Sequence, residues 1–266
     1  MRKTIFIAAL VSLLVMSFVV NASAGDILDR ILKNGELVVG TTGTQPPLNA
    51  TTKDGKIIGL DADIARLIAG GMGVEVRFKT MSFAELLPAL HADKVDIILS
   101  SMTMTPKRNL KVAFIGPYYI SGKGMLTKTQ TIATLQAAES LNDPKFKIAA
   151  LKASTSQAFV EGTAPQAKLV SAKSYDEALG FLFEDKIDVL IADYPFCAFT
   201  AFRYQEKGLV AGQSRLTFEP LGIAVKEDTL LINWLSNYMK LLDGSGQLRK
   251  MNDRWFKNSS WIKDLR

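Results

Sequence analysis

The first apolar stretch of the chain runs from Ile5 to Val20 and is broken only by Ser12 and Ser17. Arg2 and Lys3 precede it, and Ala22 and Ala24 follow it before Gly25. A basic start, a short apolar run and a small-residue exit are the layout of an export signal, so residues 1–24 are expected to be cleaved off. The run is short for a bilayer span, and no second long apolar stretch follows it. From Glu36 onward the apolar positions fall into short blocks and helical faces. Glu36 to Thr41, Val74 to Lys79, Phe146 to Leu151 and Lys168 to Ser171 read as strands. Between the first two, Asp54-Gly55 marks a hairpin turn, and Asp61 is the expected cap of a helix that turns Ile64, Leu67 and Ile68 inward.

The pattern then repeats itself. SFAELLPALHADKVDIILSS, from Ser82 to Ser101, matches SYDEALGFLFEDKIDVLIAD, from Ser174 to Asp193, without a gap and with seven of twenty positions identical. Both begin with S-x-x-E, the capping box that satisfies free N–H groups at a helix start. Leu86, Leu87 and Leu90 share one helical face, as do Ala178, Leu179 and Leu182. Each helix ends at Asp-Lys and feeds a short apolar strand, Val95 to Leu99 or Ile187 to Ala192, of the kind buried in a parallel sheet. A helix-to-strand unit used twice implies an α/β protein of two lobes, each a mostly parallel sheet flanked by helices.

Two extended, Pro- and Gly-punctuated segments, Pro117 to Gly122 and Thr217 to Gly222, are the expected crossovers between the lobes. After the second, a helix near Asp228 to Leu242 presents Leu231, Trp234, Leu235, Tyr238 and Leu242, and a last one presents Leu248, Met251 and Trp255. Large apolar residues at helical spacing are mostly core, so these helices are expected to pack on the first lobe. That lobe would comprise 25–118 together with 222–266, and the second 119–221.

Composition narrows the chemistry. Of 266 residues 48% are apolar and 22% charged, which suits a folded chain. The formal charge of +6 falls by two when Arg2 and Lys3 leave, and the remaining Lys and Arg lie scattered among acids, so no nucleic-acid partner is expected. The single cysteine, Cys197, sits among Phe196, Phe199 and Phe202 and reads as a buried inert thiol; no disulfide can form within the chain. No Cys stands at the cleavage position, so a soluble periplasmic protein without a lipid anchor is expected. One His, His91 at a helix end, and one Cys leave no zinc cluster of the common kinds and no Ser-His or Cys-His nucleophile. Neither G-x-G-x-x-G nor G-x-x-x-x-G-K-[ST] occurs, and Gly70, Gly71 and Gly73 follow a helix as a stop signal. No metal or cofactor is expected.

Ligands of open α/β sheets bind beyond the carboxyl ends of the strands. Those ends carry Ser100, Ser101 and Thr103 in one lobe and Asp193 in the other. Three hydroxyls leading to Arg108 suit an anion, because a guanidinium grips a carboxylate through two charge-assisted hydrogen bonds. Thr105-Pro106-Lys107-Arg108 reads equally well as a solvated turn. Asp193 is a carboxylate able to hold an ammonium, and it can also cap a helix entered through Pro195.

Several segments, in order, carry a resemblance: GELVVGTTGTQPPL, GKIIGLDADIARLIA, FAELLPAL, KVDIILSSMTMTPKR, VAFIGPYYISG, ALKASTSQAF, KIDVLIADYP and GQLRKMNDRWF. Over nearly the whole mature length the chain resembles the family 3 extracellular solute-binding proteins, the amino-acid receptors of bacterial ABC importers. The resemblance implies the two-lobed periplasmic-binding-protein fold of type II, an amino acid or similar small zwitterion as ligand, closure by hinge motion, an ABC permease of the inner membrane as partner, and action as a monomer. It implies that Arg108, aided by Ser101 and Thr103, binds the ligand carboxylate, and that Ser154 and Thr155 at a helix start meet it as well. Asp193 would take the ammonium, and Phe83 would pack on the ligand side chain. Thr42 stands where receptors for basic or amide ligands often have Asp, Gln45 where many relatives stack an aromatic, and Leu48 where a Phe is frequent. These departures favour a neutral ligand with a polar or modest side chain. Ala153 replaces a frequent Gly before the hydroxyl pair. The opening LDRILKNGELVVGTTG also resembles periplasmic cyclohexadienyl dehydratases, which convert prephenate or arogenate by eliminating water and carbon dioxide. The catalytic glutamate of those enzymes aligns with Gln157, whose amide has no titratable proton to give, so a binding protein is expected instead of an enzyme.

Overall fold

A computed structural model describes residues 25–135 and 138–265; the expected export signal lies outside the described residues. The chain supplies thirteen strands among them: β1 (Glu36–Thr41), β2 (Thr44–Gln45), β3 (Asn49–Thr51), β4 (Ile57–Ile58), β5 (Glu75–Thr80), β6 (Ile97–Ile98), β7 (Ala113–Ser121), β8 (Lys123–Thr127), β9 (Lys147–Leu151), β10 (Lys168–Ala172), β11 (Val189–Asp193), β12 (Val210–Ala211) and β13 (Glu219–Val225). They form a five-stranded sheet ordered β5-β1-β6-β13-β7, a second ordered β10-β9-β11-β8-β12, and a small antiparallel sheet of β2, β3 and β4. The two large sheets follow one plan. Three strands run parallel, β5-β1-β6 and β10-β9-β11, and two antiparallel strands complete each sheet. The small sheet, turned at Asp54-Gly55, was only half visible in the sequence pattern.

Both copies of the internal repeat are capped by their Ser and Glu, through bonds that differ in detail. Ser82 donates from N and Oγ to Glu85, and Ser174 accepts from the Glu177 N–H while Glu177 reaches back to Lys173 N. The helices Phe83–His91 and Tyr175–Phe183 both stop at an aspartate in the left-handed region, Asp93 (φ 53°) and Asp185 (φ 55°). Three residues on, Asp96 and Asp188 each donate from N to a strand carbonyl, Val38 or Lys147, and accept the same residue's N–H on the carboxylate. The paired aspartates thus extend the parallel ladder beyond the backbone.

Sheet one passes to sheet two at Gly122, between β7 and β8, and the chain returns between β12 and β13. The two crossovers lie side by side: Ser121 pairs with Glu219 and Tyr119 with Leu221. A Cβ on Gly122 would overlap the Thr217 carbonyl oxygen, so this close approach needs glycine. The helices Thr229–Gly244 and Gln247–Lys257 bury Leu231, Leu235, Leu242, Leu248, Met251 and Trp255 in the core of sheet one, as their spacing required. Trp234 and Tyr238 are half-buried, stack on each other at 4.8 Å, and Tyr238 donates to the Leu67 carbonyl. Asp61 corrects one expectation. Gly59 occupies the N-cap of the helix Leu60–Met72 without a side-chain bond, and Asp61 lies inside the first turn with its carboxylate committed elsewhere. Cys197 is fully buried, which pushes its thiol pKa up and leaves it inert, and His91 is exposed. Among the described residues no helix is long and apolar enough to cross a membrane.

Candidate functional site

Sheet register places the chemistry. Asp193 ends β11 directly opposite Lys123, the first residue of β8. Cross-strand neighbours face the same side, and the Lys123 ammonium donates to Asp193 Oδ1 at 2.8 Å with both residues buried. Glu219 starts β13 opposite Ser121, two positions before Lys123, and its Oε2 lies 3.4 Å from the same ammonium. The second Asp193 oxygen accepts from Gln45 Nε2 at 2.6 Å, a bond from the small sheet to the end of sheet two. Asp193 is the residue before the helix Tyr194–Arg203, yet its side chain makes no cap bond. Capping is therefore not its role; the carboxylate accepts from the Lys123 ammonium and the Gln45 amide instead.

Arg108 arrives from the other side. Thr105 caps the short helix Pro106–Asn109 by accepting the Arg108 N–H, and the guanidinium folds back to donate to the Thr103 carbonyl at 2.9 Å and the Ala153 carbonyl at 3.3 Å. It lies 5.4 Å above the Phe83 ring. Burial lowers its pKa, and the facing carboxylates of Glu219 and Asp193 oppose that shift. Thr155 Oγ1, at the start of the helix Thr155–Thr163, donates to Glu219 and lies 3.3 Å from Thr103 Oγ1. Gln45, Phe83, Thr103, Arg108, Thr155 and Asp193 are thus linked where the two sheets meet. Ala153 supports this junction in a left-handed conformation (φ 61°), which loads strain onto an alanine.

The remaining expected residues serve different partners. Thr42 N donates to Ser100 Oγ, Thr42 Oγ1 donates to Asn49, and Ser101, itself at φ 53°, gives its N–H to Asp61 Oδ2 at 2.9 Å. Asn49 Nδ2 reaches the same Asp61 oxygen at 2.8 Å. This buried network braces the strand end beside Thr103. Ser154 is the N-cap of its helix, accepting from Gln157 N and donating to the Leu151 carbonyl. Gln157 accepts from Ala153 N and donates to Glu161, so its amide ties down the same helix turn. Lys123 and Glu219 escaped sequence reading. The available signals were a lysine inside the apolar block GKGML and a glutamate opening the second crossover.

Desolvation raises the Asp61 carboxyl pKa to about 6, against the pull of hydrogen bonds from Asn49 and Ser101 and of the Tyr118 hydroxyl, which lies near the carboxylate without good hydrogen-bond geometry. A raised carboxyl pKa means that the folded chain holds its proton longer than the unfolded chain. The contribution is whole below about pH 4 and is lost as pH climbs through about 6, a swing of at most about 3 kcal/mol. Asp61→Asn should flatten that slope: relative to the variant, the parent chain loses stability between pH 4 and pH 7. Urea titrations across this range would give parallel profiles if Asp61 stays ionised throughout.

The family model of the bacterial extracellular solute-binding proteins, family 3, matches residues 37–258. The chain is similar to the ABC transporter arginine-binding protein 1 of Escherichia coli strain K12, 28% identical over 262 residues, with 96% of this chain and 99% of that protein covered. It is also similar to the cyclohexadienyl dehydratase of Pseudomonas aeruginosa PAO1, 23% identical over 230 residues, with 86% of each covered. Among solved structures, an ancestral amino-acid-binding protein described as a precursor of cyclohexadienyl dehydratase superposes with a TM-score of 0.79 at 33% identity, covering 86% of this chain and 99% of that one.

Proposed function

The chain belongs to the bacterial extracellular solute-binding proteins, family 3, and from that premise we propose that it is the amino-acid receptor of an ABC importer. Arg108 takes the ligand carboxylate and Asp193 the ammonium. Thr103 and Thr155 complete the shell from opposite sides, and Phe83 sets one wall. The observation that carries this reading is the approach of a guanidinium from the helix Pro106–Asn109 to the sheet that ends in the Asp193 carboxylate, through bridging contacts: Gln45 to Asp193, Arg108 to the Ala153 carbonyl, and Thr103 to Thr155. Such contacts exist only while the lobes are together. A ligand that adds to them shifts the population toward the closed form, which a permease in the inner membrane reads as loaded.

Four charges converge here, Arg108, Lys123, Asp193 and Glu219, and they balance. A balanced site suits a zwitterion with a neutral side chain. The lobes divide at the paired crossovers, 25–118 with 222–266 against 119–221, and hinge motion is absorbed next to Gly122. Export, cleavage of residues 1–24, a periplasmic location without a lipid anchor and a monomeric state complete the proposal. A thermal-shift screen of chain 25–266 against the twenty protein amino acids, followed by calorimetry, should find saturable one-to-one binding of a neutral one. No stabilisation by any of them would overturn the assignment.

The dehydratase reading rests on the Pseudomonas aeruginosa relative. The Gln157 amide, bonded to Ala153 and Glu161, supports binding without turnover, since it has no proton to deliver to a leaving hydroxyl. Incubation with prephenate and with arogenate should yield neither phenylpyruvate nor phenylalanine.

A further inference from the structure

Lys123 is the least expected charge in the molecule, because its side chain is only 2% exposed. A buried ammonium persists only with anionic partners, and two flank it: Asp193 at 2.8 Å and Glu219 at 3.4 Å. They approach from different strands and are equipped differently. Asp193 has one further donor, Gln45 from the small sheet. Glu219 is held on both oxygens by hydroxyls, Thr217 on Oε1 and Thr155 on Oε2, and so stays oriented toward Lys123 whatever Asp193 does. A lysine head on a flexible stem carries three donors, and a small swing exchanges one carboxylate for the other.

We propose that Lys123 is the specificity-determining counter-ion of the site: it pairs with Asp193 and passes to Glu219 when a ligand ammonium takes Asp193. The proposal rests on the receptor reading and deepens it. Two carboxylates and one internal ammonium leave room for one external cation. A neutral amino acid supplies one and keeps the site balanced. An amino acid with a cationic side chain brings a second, which meets Lys123 and Arg108 with no carboxylate left for it. Lys123 therefore selects neutral ligands over basic ones by like-charge repulsion, and Glu219 makes the selection possible by receiving the displaced ammonium.

Calorimetry on the parent chain, Lys123→Met, Glu219→Gln and the double variant, with the twenty amino acids as probes, tests this. Lys123→Met should move the affinity ratio of L-arginine to a neutral amino acid by about tenfold or more toward arginine. Glu219→Gln should weaken neutral amino acids by about tenfold or more, since Lys123 then stays on Asp193, and the double variant should recover much of that loss. A separate arm needs no amino acid. Lys123→Ala opens a vacancy between two carboxylates, and ethylammonium chloride should stabilise that variant saturably and at a lower concentration than the parent chain, whose own ammonium fills that space. A Lys123→Ala chain that folds only with ethylammonium supports the proposal equally. Unchanged ratios in Lys123→Met, unchanged affinities in Glu219→Gln, or a Lys123→Ala chain indifferent to ethylammonium would overturn it. If the parent chain binds none of the twenty amino acids, the receptor reading fails by itself, and the ethylammonium arm still decides the place of Lys123.

Discussion

Arg108→Ala is expected to lower amino-acid affinity by about 2–5 kcal/mol, the usual range for truncating one member of a desolvated charge pair. That is a loss of roughly thirtyfold to several thousandfold in Kd. The guanidinium carries five N–H donors. Two are committed, to the Thr103 and Ala153 carbonyls, and they hold the plane rigidly over Phe83. The others are free to grip a carboxylate as a fork. Alanine would leave that carboxylate without the guanidinium that neutralises it. It would also remove both hydrogen bonds through which Arg108 ties the Thr103 carbonyl to the Ala153 carbonyl across the junction. Arg108→Lys keeps the charge and loses the fork, so it should recover only part of the affinity. Calorimetry decides between the three chains, and an Arg108→Ala variant that binds like the parent would detach the carboxylate from this residue.

Asp193→Asn should cost binding by a similar amount, about 2–5 kcal/mol, for the complementary reason. The substitution keeps shape and lets Gln45 retain an acceptor, but the ligand ammonium loses its counter-charge. Lys123 would be left with Glu219 at 3.4 Å as its remaining anionic partner, so the melting temperature should drop as well. The two effects separate experimentally: thermal unfolding without ligand reads the Lys123 pair, and titration with the amino acid reads the ammonium site. Full affinity in the Asn variant would mean that Asp193 serves only Lys123.

The sequence was informative wherever a local rule set the outcome. The repeat from Ser82 and from Ser174 announced two helix-to-strand units, and the structure adds that Asp93 and Asp185, then Asp96 and Asp188, perform matching tasks in both. The crossovers, the terminal helices of the first core and the buried Cys197 followed from Pro and Gly punctuation and from helical spacing. Local rules misread Asp61. An acid at the start of an apolar helical face looks like a cap, but this one answers to Asn49 and Ser101, which only the fold brings near.

Residue types and their order were enough to determine the α/β architecture and the position of Asp193 at a strand end, because periodicity, capping and turn chemistry act over a few neighbouring residues. Tertiary structure alone decided that Lys123 stands between Asp193 and Glu219, that Gln45 closes on Asp193 from another sheet, and that Ser100 and Ser101 brace the site from behind. Those partners are separated by tens of residues or more along the chain, and their pairing depends on strand register and on the exclusion of water, neither of which is written in any single segment.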